Sequence, residues 1–370
     1  MFFRFFQFLV LVTCLCGLNT LRADEPEYAQ NFNIEQFPGY RLLTVSNAYR
    51  NSDQTYRYAL VPKTAPLPAD LPKDALLVRT PVERIVCMET VYIGYLEALG
   101  ALDRIVGAAT TNFISNPTVR ARVETGEIAK MQIGQNMDIE RMLLIQPDLI
   151  LTSISGDPSF DVPPKLIRSG LPVVLSAGYM ERHPLARSEW LKFIAAFLEK
   201  DAEAEILYRD IATRYNALVE QAAQAKTRPT VFCGAPYSGI WHVPGGKSYT
   251  AQAIADASGR YLWAGDDSQG GIPLDTERVF LKAAKADIWL NPSSYRTMPA
   301  LRSADPRFAM FQAARQGKVF NHTRQVGPEG GNPIWEYGVV HPDEVLADLI
   351  QIFHPGLLAE RELLFYERLN

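Results

Sequence analysis

The sequence predicts an α/β protein, with two αβ lobes built on mostly parallel central sheets and joined by a single long α-helix. Three observations predict it. Short apolar runs such as "ERIVCM", "DLILTS" and "DIWLN" alternate with amphipathic stretches, the βα rhythm that builds parallel sheets. That rhythm breaks between His183 and Lys226, where almost no Gly or Pro follows Pro184 and apolar residues recur at helical spacing. On the two sides of the break one phrase is repeated: "DIERMLLIQPDLILTS" from Asp138 and "DTERVFLKAAKADIWLNPSS" from Asp275. Each reads as an acidic residue, a spacer, Glu-Arg, a helix and a strand, so each lobe holds one copy of the same unit.

Taken in order, the chain opens with "MFFRFFQFLVLVTCLCGLNTLRA". It carries one early positive charge (Arg4), an apolar run from Phe5 to about Leu18, and small or polar residues up to Ala23. This is the layout of a cleaved secretory signal peptide over residues 1–23, and the apolar run is short for a spanning helix. A retained membrane anchor is the alternative, with lipidation at Cys14 as a variant for which Thr13 is a poor lipobox neighbour. Residues 24–80 are Pro-rich and irregular apart from one expected hairpin, "YRLLTVSNAY" and "TYRYALVP" around "RNSDQ". The first lobe, 81–200, has strands at "ERIVCM", "DRIVGA", "DLILTS" and "LPVVLS". Its helices are "ETVYIGYLEALG", Met137–Ile145 and the end "PKLIRSG". A linking helix over 201–226 would be roughly 39 Å long at about 1.5 Å per residue. It places Leu207, Ile211, Tyr215 and Leu218 on one face, and Pro229 marks its end. The second lobe, 227–370, restarts with "PTVFCGA". Helices "YTAQAIADASG" and "ERVFLKAAK" and strands "DIWLN" and "KVFNH" follow, then a final helix from about Asp343.

Composition sets the outer bounds. A chain of 370 residues exceeds one ordinary core and suits two modest ones. Its 47% hydrophobic and 21% charged content is that of a globular protein, and a net charge of -4 argues against a nucleic-acid partner. Cys14 and Cys16 leave with the leader, while Cys87 and Cys233 sit in strand-like runs of different lobes and are expected as buried free thiols. No CxxC or paired Cys/His spacing signals zinc.

Three segments carry a resemblance: "RIVCMETVYIGYLEALGALDRIVGA", "IGQNMDIERMLLIQPDLILTS" and "GIPLDTERVFLKAAKADIWL". With them the chain resembles the helical-backbone substrate-binding proteins of ABC importers, those for iron-siderophores, haem and cobalamin. The likeness runs from roughly Val82 to Ile352 and leaves residues 24–80 outside. It implies a cleft between the lobes that traps one ligand, small hinge motion about a stiff helix, and a periplasmic monomer without a cofactor. It also implies that one exposed glutamate per lobe, Glu140 and Glu277, engages arginines on the permease. Two charges held apart on a rigid body fix both docking and orientation. The competing role for each is to complement its helix dipole beside the N-cap aspartates Asp138 and Asp275.

Clefts in such folds are lined by loops at the carboxyl ends of strands. In the first lobe these loops offer Glu89, Thr90, Thr111, Gln135 and Ser155, with Met88, Thr110, Asn112 and Ser153 beside them. In the second lobe they offer Tyr237, Trp241, Tyr295, Arg324, Trp335 and Glu336. Aromatic groups with a few polar or cationic ones suit a bulky, partly flat, anionic ligand, and an arginine would anchor a carboxylate. A ferric siderophore leads, then cobalamin, then haem. Decoys are few. "GGKS" at Gly245–Ser248 lacks the glycine a phosphate loop needs where Trp241 stands. The five histidines show no paired helical spacing; His183 and Glu181 are expected to cap or orient the next helix, and His242 and His322 leave a bare-metal site open. The rivals are an exported αβ enzyme, which lacks a nucleotide loop and a nucleophile–base pair here, and a ligand-sensing ectodomain.

Overall fold

The computed structural model describes residues 25–134, 137–156, 161–359 and 361–370; the leader expected over 1–23 and the candidate Gln135 lie outside the described residues. Strands β1 (Phe32–Phe37), β2 (Tyr40–Val45), β3 (Tyr56–Pro62) and β4 (Leu76–Thr80) form one sheet in that order. The expected hairpin is its central pair, antiparallel from Arg41 opposite Leu60 to Val45 opposite Tyr56. Two strands that sequence reading left irregular extend it. β1 pairs antiparallel with β2 across a turn whose Gly39 has φ +86°, and β4 pairs parallel with β3. Phe32 and Tyr58 meet Trp190, Phe193 and Phe197 of the helix Pro184–Leu198, so residues 25–80 are built into the main core.

Two buried carboxylates on that side bind the chain ahead of β1. Glu189 accepts the N–H groups of Glu27 (2.8 Å), Tyr28 (2.8 Å) and Ala29 (2.9 Å). Glu181 accepts those of Gln30 and Asn31 (both 3.1 Å) and the Trp190 indole N–H (3.1 Å). Glu181 thus anchors the N-terminal segment, while His183 does the capping, its Nδ1 accepting from Leu185 N at 3.0 Å. Burial lifts the Glu181 carboxyl to about 7 against the pull of these hydrogen bonds, with a smaller upward push from Glu189. An acid whose folded pKa lies above its unfolded value contributes stability at low pH and loses it as pH rises through the folded pKa. Between about pH 5 and about pH 8 the unfolding free energy is expected to fall by roughly 2–3 kcal/mol. Urea unfolding at the two pH values checks this, and the Glu181→Gln variant is expected to lack that component.

The first lobe is a wholly parallel sheet of β5 (Ile85–Cys87), β6 (Ile105–Ala109), β7 (Ala129–Met131), β8 (Leu149–Thr152) and β9 (Val173–Leu175), in the order β7-β6-β5-β8-β9. Ile85, Cys87, Leu149 and Leu151 face the main core, and Val86, Ile150 and Val173 face a second core with Met131, Met142 and Leu166. Burial on both faces explains why these strands read as continuous apolar runs.

The linking helix spans Asp201–Ala222 and stops four residues short of Lys226. Ala222 is the last buried residue on it; the largely exposed residues 223–226 have no packing to hold them helical. Ile211 and Tyr215 are fully buried, with Ala204 and Tyr208 completing the stripe, whereas Leu207 and Leu218 are only partly covered. This helix packs on both Pro184–Leu198 and Pro342–Phe353. The Tyr215 hydroxyl donates to Asp256 (2.6 Å), fixing the helix to the second lobe.

The second lobe holds β10 (Thr230–Cys233), β11 (Pro236–Tyr237), β12 (Ile240–Pro244), β13 (Arg260–Tyr261), β14 (Gly271–Asp275), β15 (Ile288–Leu290), β16 (Val319–Asn321) and β17 (Glu367–Arg368). Its main sheet runs β13-β10-β15-β16-β17, parallel except at β17, and β11-β12-β14 make a small antiparallel sheet beside it. Cys87 and Cys233 are buried free thiols. Among the described residues no helix is long and apolar enough to cross a membrane.

Candidate ligand-binding site

A cavity of about 200 Å³ lies at the carboxyl ends of β5, β8 and β9, lined by Glu89, Thr90, Ser153, Ser176, Tyr179 and Arg187. Trp335 lines it from the second lobe. Local sequence explains that placement. Asn332 caps the turn Pro333–Trp335, its Oδ1 accepting from Ile334 N at 3.2 Å, and its amide donates to the His322 carbonyl at 2.9 Å. The indole is left 43% exposed, edge-on to His322 with centroids 5.3 Å apart. Glu89 accepts the Ser153 N–H at 2.7 Å, and burial still holds its carboxyl above the usual range. Beyond Trp335 is a smaller, apolar cavity of about 90 Å³, whose walls include Tyr249, Ile254, Leu290, His322 and Leu349. Burial keeps His322 below the ordinary imidazole range, hence neutral at pH 7. A larger groove, about 960 Å³, lies away from both, between the N-terminal sheet and the linking helix. Two ion pairs, Arg41 with Asp201 and Lys192 with Glu205, lie along it.

Of the expected contacts, Glu89, Thr90 and Trp335 are brought together here. Trp241 is not among them. It is fully buried, donates its indole N–H to the Cys233 carbonyl at 3.0 Å, and packs with Phe232, Trp289, Phe308 and Phe311. Its strand alternates, and the inward positions are Trp241 and Val243. Glu336 is likewise buried rather than open to a ligand. Its carboxylate accepts Ser115 N (2.7 Å) and Asn116 N (3.0 Å) at the start of the helix Pro117–Glu124, clamping the two halves together. Backbones touch around that clamp: a Cβ on Gly331 would stand 2.5 Å from the Ile114 carbonyl oxygen. Thr111 sits half-buried in the turn just before this contact.

The other candidates stand apart. Tyr237 is exposed at the end of the β11–β12 hairpin, and Tyr295 packs against the core. Arg324 pairs with Glu362 at 2.7 Å. Ser155 is bound to Asp161 through both its N–H (2.7 Å) and hydroxyl (2.8 Å). Sequence reasoning missed Ser176, Tyr179 and Arg187. Ser176 had a signal, since it follows a strand end as Ser153 does; the other two are brought in by the packing of later turns. Among the described residues no three His, Cys, Asp or Glu side chains converge as a metal site.

The repeated phrase folds twice into the same device. Asp138 accepts Arg141 N at 2.9 Å to open the helix Ile139–Ile145, and Asp275 accepts Arg278 N at 2.7 Å to open Thr276–Ala283. Glu140 and Glu277 are exposed in the first turns, and one turn on stand Leu144, 83% exposed, and Leu281, 86% exposed.

Comparison with known proteins sets this arrangement among relatives. An uncharacterized lipoprotein of Methanocaldococcus jannaschii is 23% identical, covering 93% of this chain and 85% of its own length. The crystal structure of a periplasmic heme-binding protein from Pseudomonas aeruginosa shares the fold with a TM-score of 0.58, at 19% identity over 78% of this chain and 98% of that one. An ABC-type Fe3+-hydroxamate transport system structure from Saccharomonospora viridis has a TM-score of 0.57, at 17% identity over 74% and 94%. The family model described as periplasmic binding protein matches residues 85–326, and this chain belongs to that family.

Proposed function

We propose that the protein captures an iron chelate of the siderophore type outside the cytoplasm and delivers it to the permease of an ABC importer. The cavity at the strand ends, lined by the first lobe and by Trp335 of the second, carries this reading: a ligand held there touches both lobes. Haem and cobalamin are the alternatives of the same kind, and the heme-binding neighbour supports the first of them. A bound chelate needs only recognition, so the protein acts without chemistry of its own. Glu140 and Glu277 are the permease contacts, each backed by an exposed leucine. Export proceeds through the leader at 1–23; the relatives named lipoproteins favour a lipid on Cys14 as the alternative to cleavage after Ala23. Calorimetric titration of the purified protein with a ferric trihydroxamate, a ferric catecholate, cobalamin and haem tests the reading, together with uptake of the bound chelate in cells with and without the permease. Sub-micromolar binding of one chelate and permease-dependent uptake are expected. Binding with permease-independent uptake would leave a sensor, and no binding would remove chelate capture.

A further inference from the structure

Arg187 lines both cavities and stands where they meet. Both halves of the molecule position it. Its own turn opens the helix Pro184–Leu198, where its carbonyl accepts the Tyr95 hydroxyl at 2.7 Å. From the second lobe, the ring of Tyr249 lies under the guanidinium, 4.1 Å from its centre. Other half-buried arginines find acceptors, as Arg41 does with Asp201, Arg122 with Glu127 and Arg104 with the Val82 carbonyl. No carboxylate among the described residues pairs with Arg187, and its buried Nε–H meets no acceptor. Glu89 lines the same cavity, but its carboxylate is turned to the Ser153 N–H and forms no ion pair with Arg187. A buried donor without an acceptor is rare in a native protein and requires a reason. A planar guanidinium with a free edge, held against an aromatic face, matches a carboxylate better than any other common anion of that size.

We propose that Arg187 is the anion-recognition residue of the cleft and that the natural ligand carries a carboxylate. This rests on the proposed capture of a chelate and narrows it to carboxylate-bearing ones. The test compares wild type, Arg187→Met and Arg187→Lys by calorimetric titration. Ferric citrate and haem supply carboxylates; a ferric trihydroxamate and cobalamin do not. A carboxylate-bearing chelate is expected to bind wild type, about 30-fold more weakly to Arg187→Met, and at an intermediate strength to Arg187→Lys, whose ammonium cannot form the paired bond. Circular dichroism and urea unfolding establish that the variants fold. Wild-type binding confined to the two carboxylate-free chelates overturns the inference and leaves chelate capture standing. So does Arg187→Met binding the carboxylate chelate as tightly as wild type. If none of the four binds, phenylglyoxal labelling of Arg187, read by peptide mass spectrometry with and without citrate, separates the two ideas. Saturable protection by citrate supports the anion site while chelate capture fails; labelling indifferent to citrate overturns the anion site.

Discussion

Replacing Glu140 and Glu277 together by alanine is expected to reduce chelate uptake at least tenfold while leaving ligand affinity and stability nearly unchanged. The two roles open to each glutamate separate cleanly in this fold. Capping is done by Asp138 and Asp275, whose carboxylates already hold the Arg141 and Arg278 N–H groups. What the glutamates add to their helix starts is a dipole term of about 0.3–1 kcal/mol each. The contact of Glu277 with Arg307, 3.4 Å long and largely exposed, is worth little more. Their exposure beside Leu144 and Leu281 is instead what a docking surface needs, a charge to steer and an apolar neighbour to bury. Uptake of radiolabelled chelate by the double variant, beside its Kd in solution, checks the prediction. Unchanged uptake at normal affinity would end the docking role.

Gly94→Val is expected to destabilise the protein by about 3 kcal/mol or more and to weaken ligand binding at the same time. Gly94 lies in the helix Val91–Ala98, and even a Cβ there would stand 2.3 Å from the Glu336 carbonyl oxygen. The obstacle is backbone on both sides, so the segment after Asn332 must lift away. Doing so breaks the Glu336 bonds to Ser115 and Asn116 and carries Trp335, the neighbouring residue, out of the cavity. Urea unfolding gives the first quantity and calorimetry the second. A variant as stable as wild type with full affinity would mean that the two halves do not depend on this contact.

The lobes were legible because parallel strands buried on both faces write themselves as apolar runs, and because the Asp-x-Glu-Arg phrase occurs on both sides of the linking helix. That phrase also marks Glu140 and Glu277 as first-turn residues, where both are exposed; a docking role for them comes from the family resemblance. The cleft was legible only in part. Strand ends pointed to Glu89 and Thr90, which depend on their own β5, and the aromatic turn pointed to Trp335. A loop at "GIWHV" would turn Trp241 toward a ligand; as the strand β12, its alternation puts the indole inward with Val243. Glu336 and Arg187 lay beyond a one-dimensional reading. Glu336 finds its partners at Ser115 and Asn116, far back along the chain. Arg187 has the character of an ordinary helix cation until the packing of two lobes leaves its Nε–H without an acceptor among the described residues. Strands β1 and β4 were missed for a similar reason: their pairing with the hairpin, and not their composition, makes them strands.

Fluorescence quenching tests most directly that ligand is held between the lobes. Five tryptophans are present, and Trp190, Trp241, Trp263 and Trp289 are buried, leaving Trp335 as the exposed indole on the cavity wall. Titration of wild type and Trp335→Phe with the chelate identified by calorimetry would compare their quenching at saturation. Loss of most of the quenching in Trp335→Phe, with the remainder from Trp190 in the same wall, is the predicted result. Equal quenching in the two proteins at equal affinity would contradict the account and move the ligand away from the cleft.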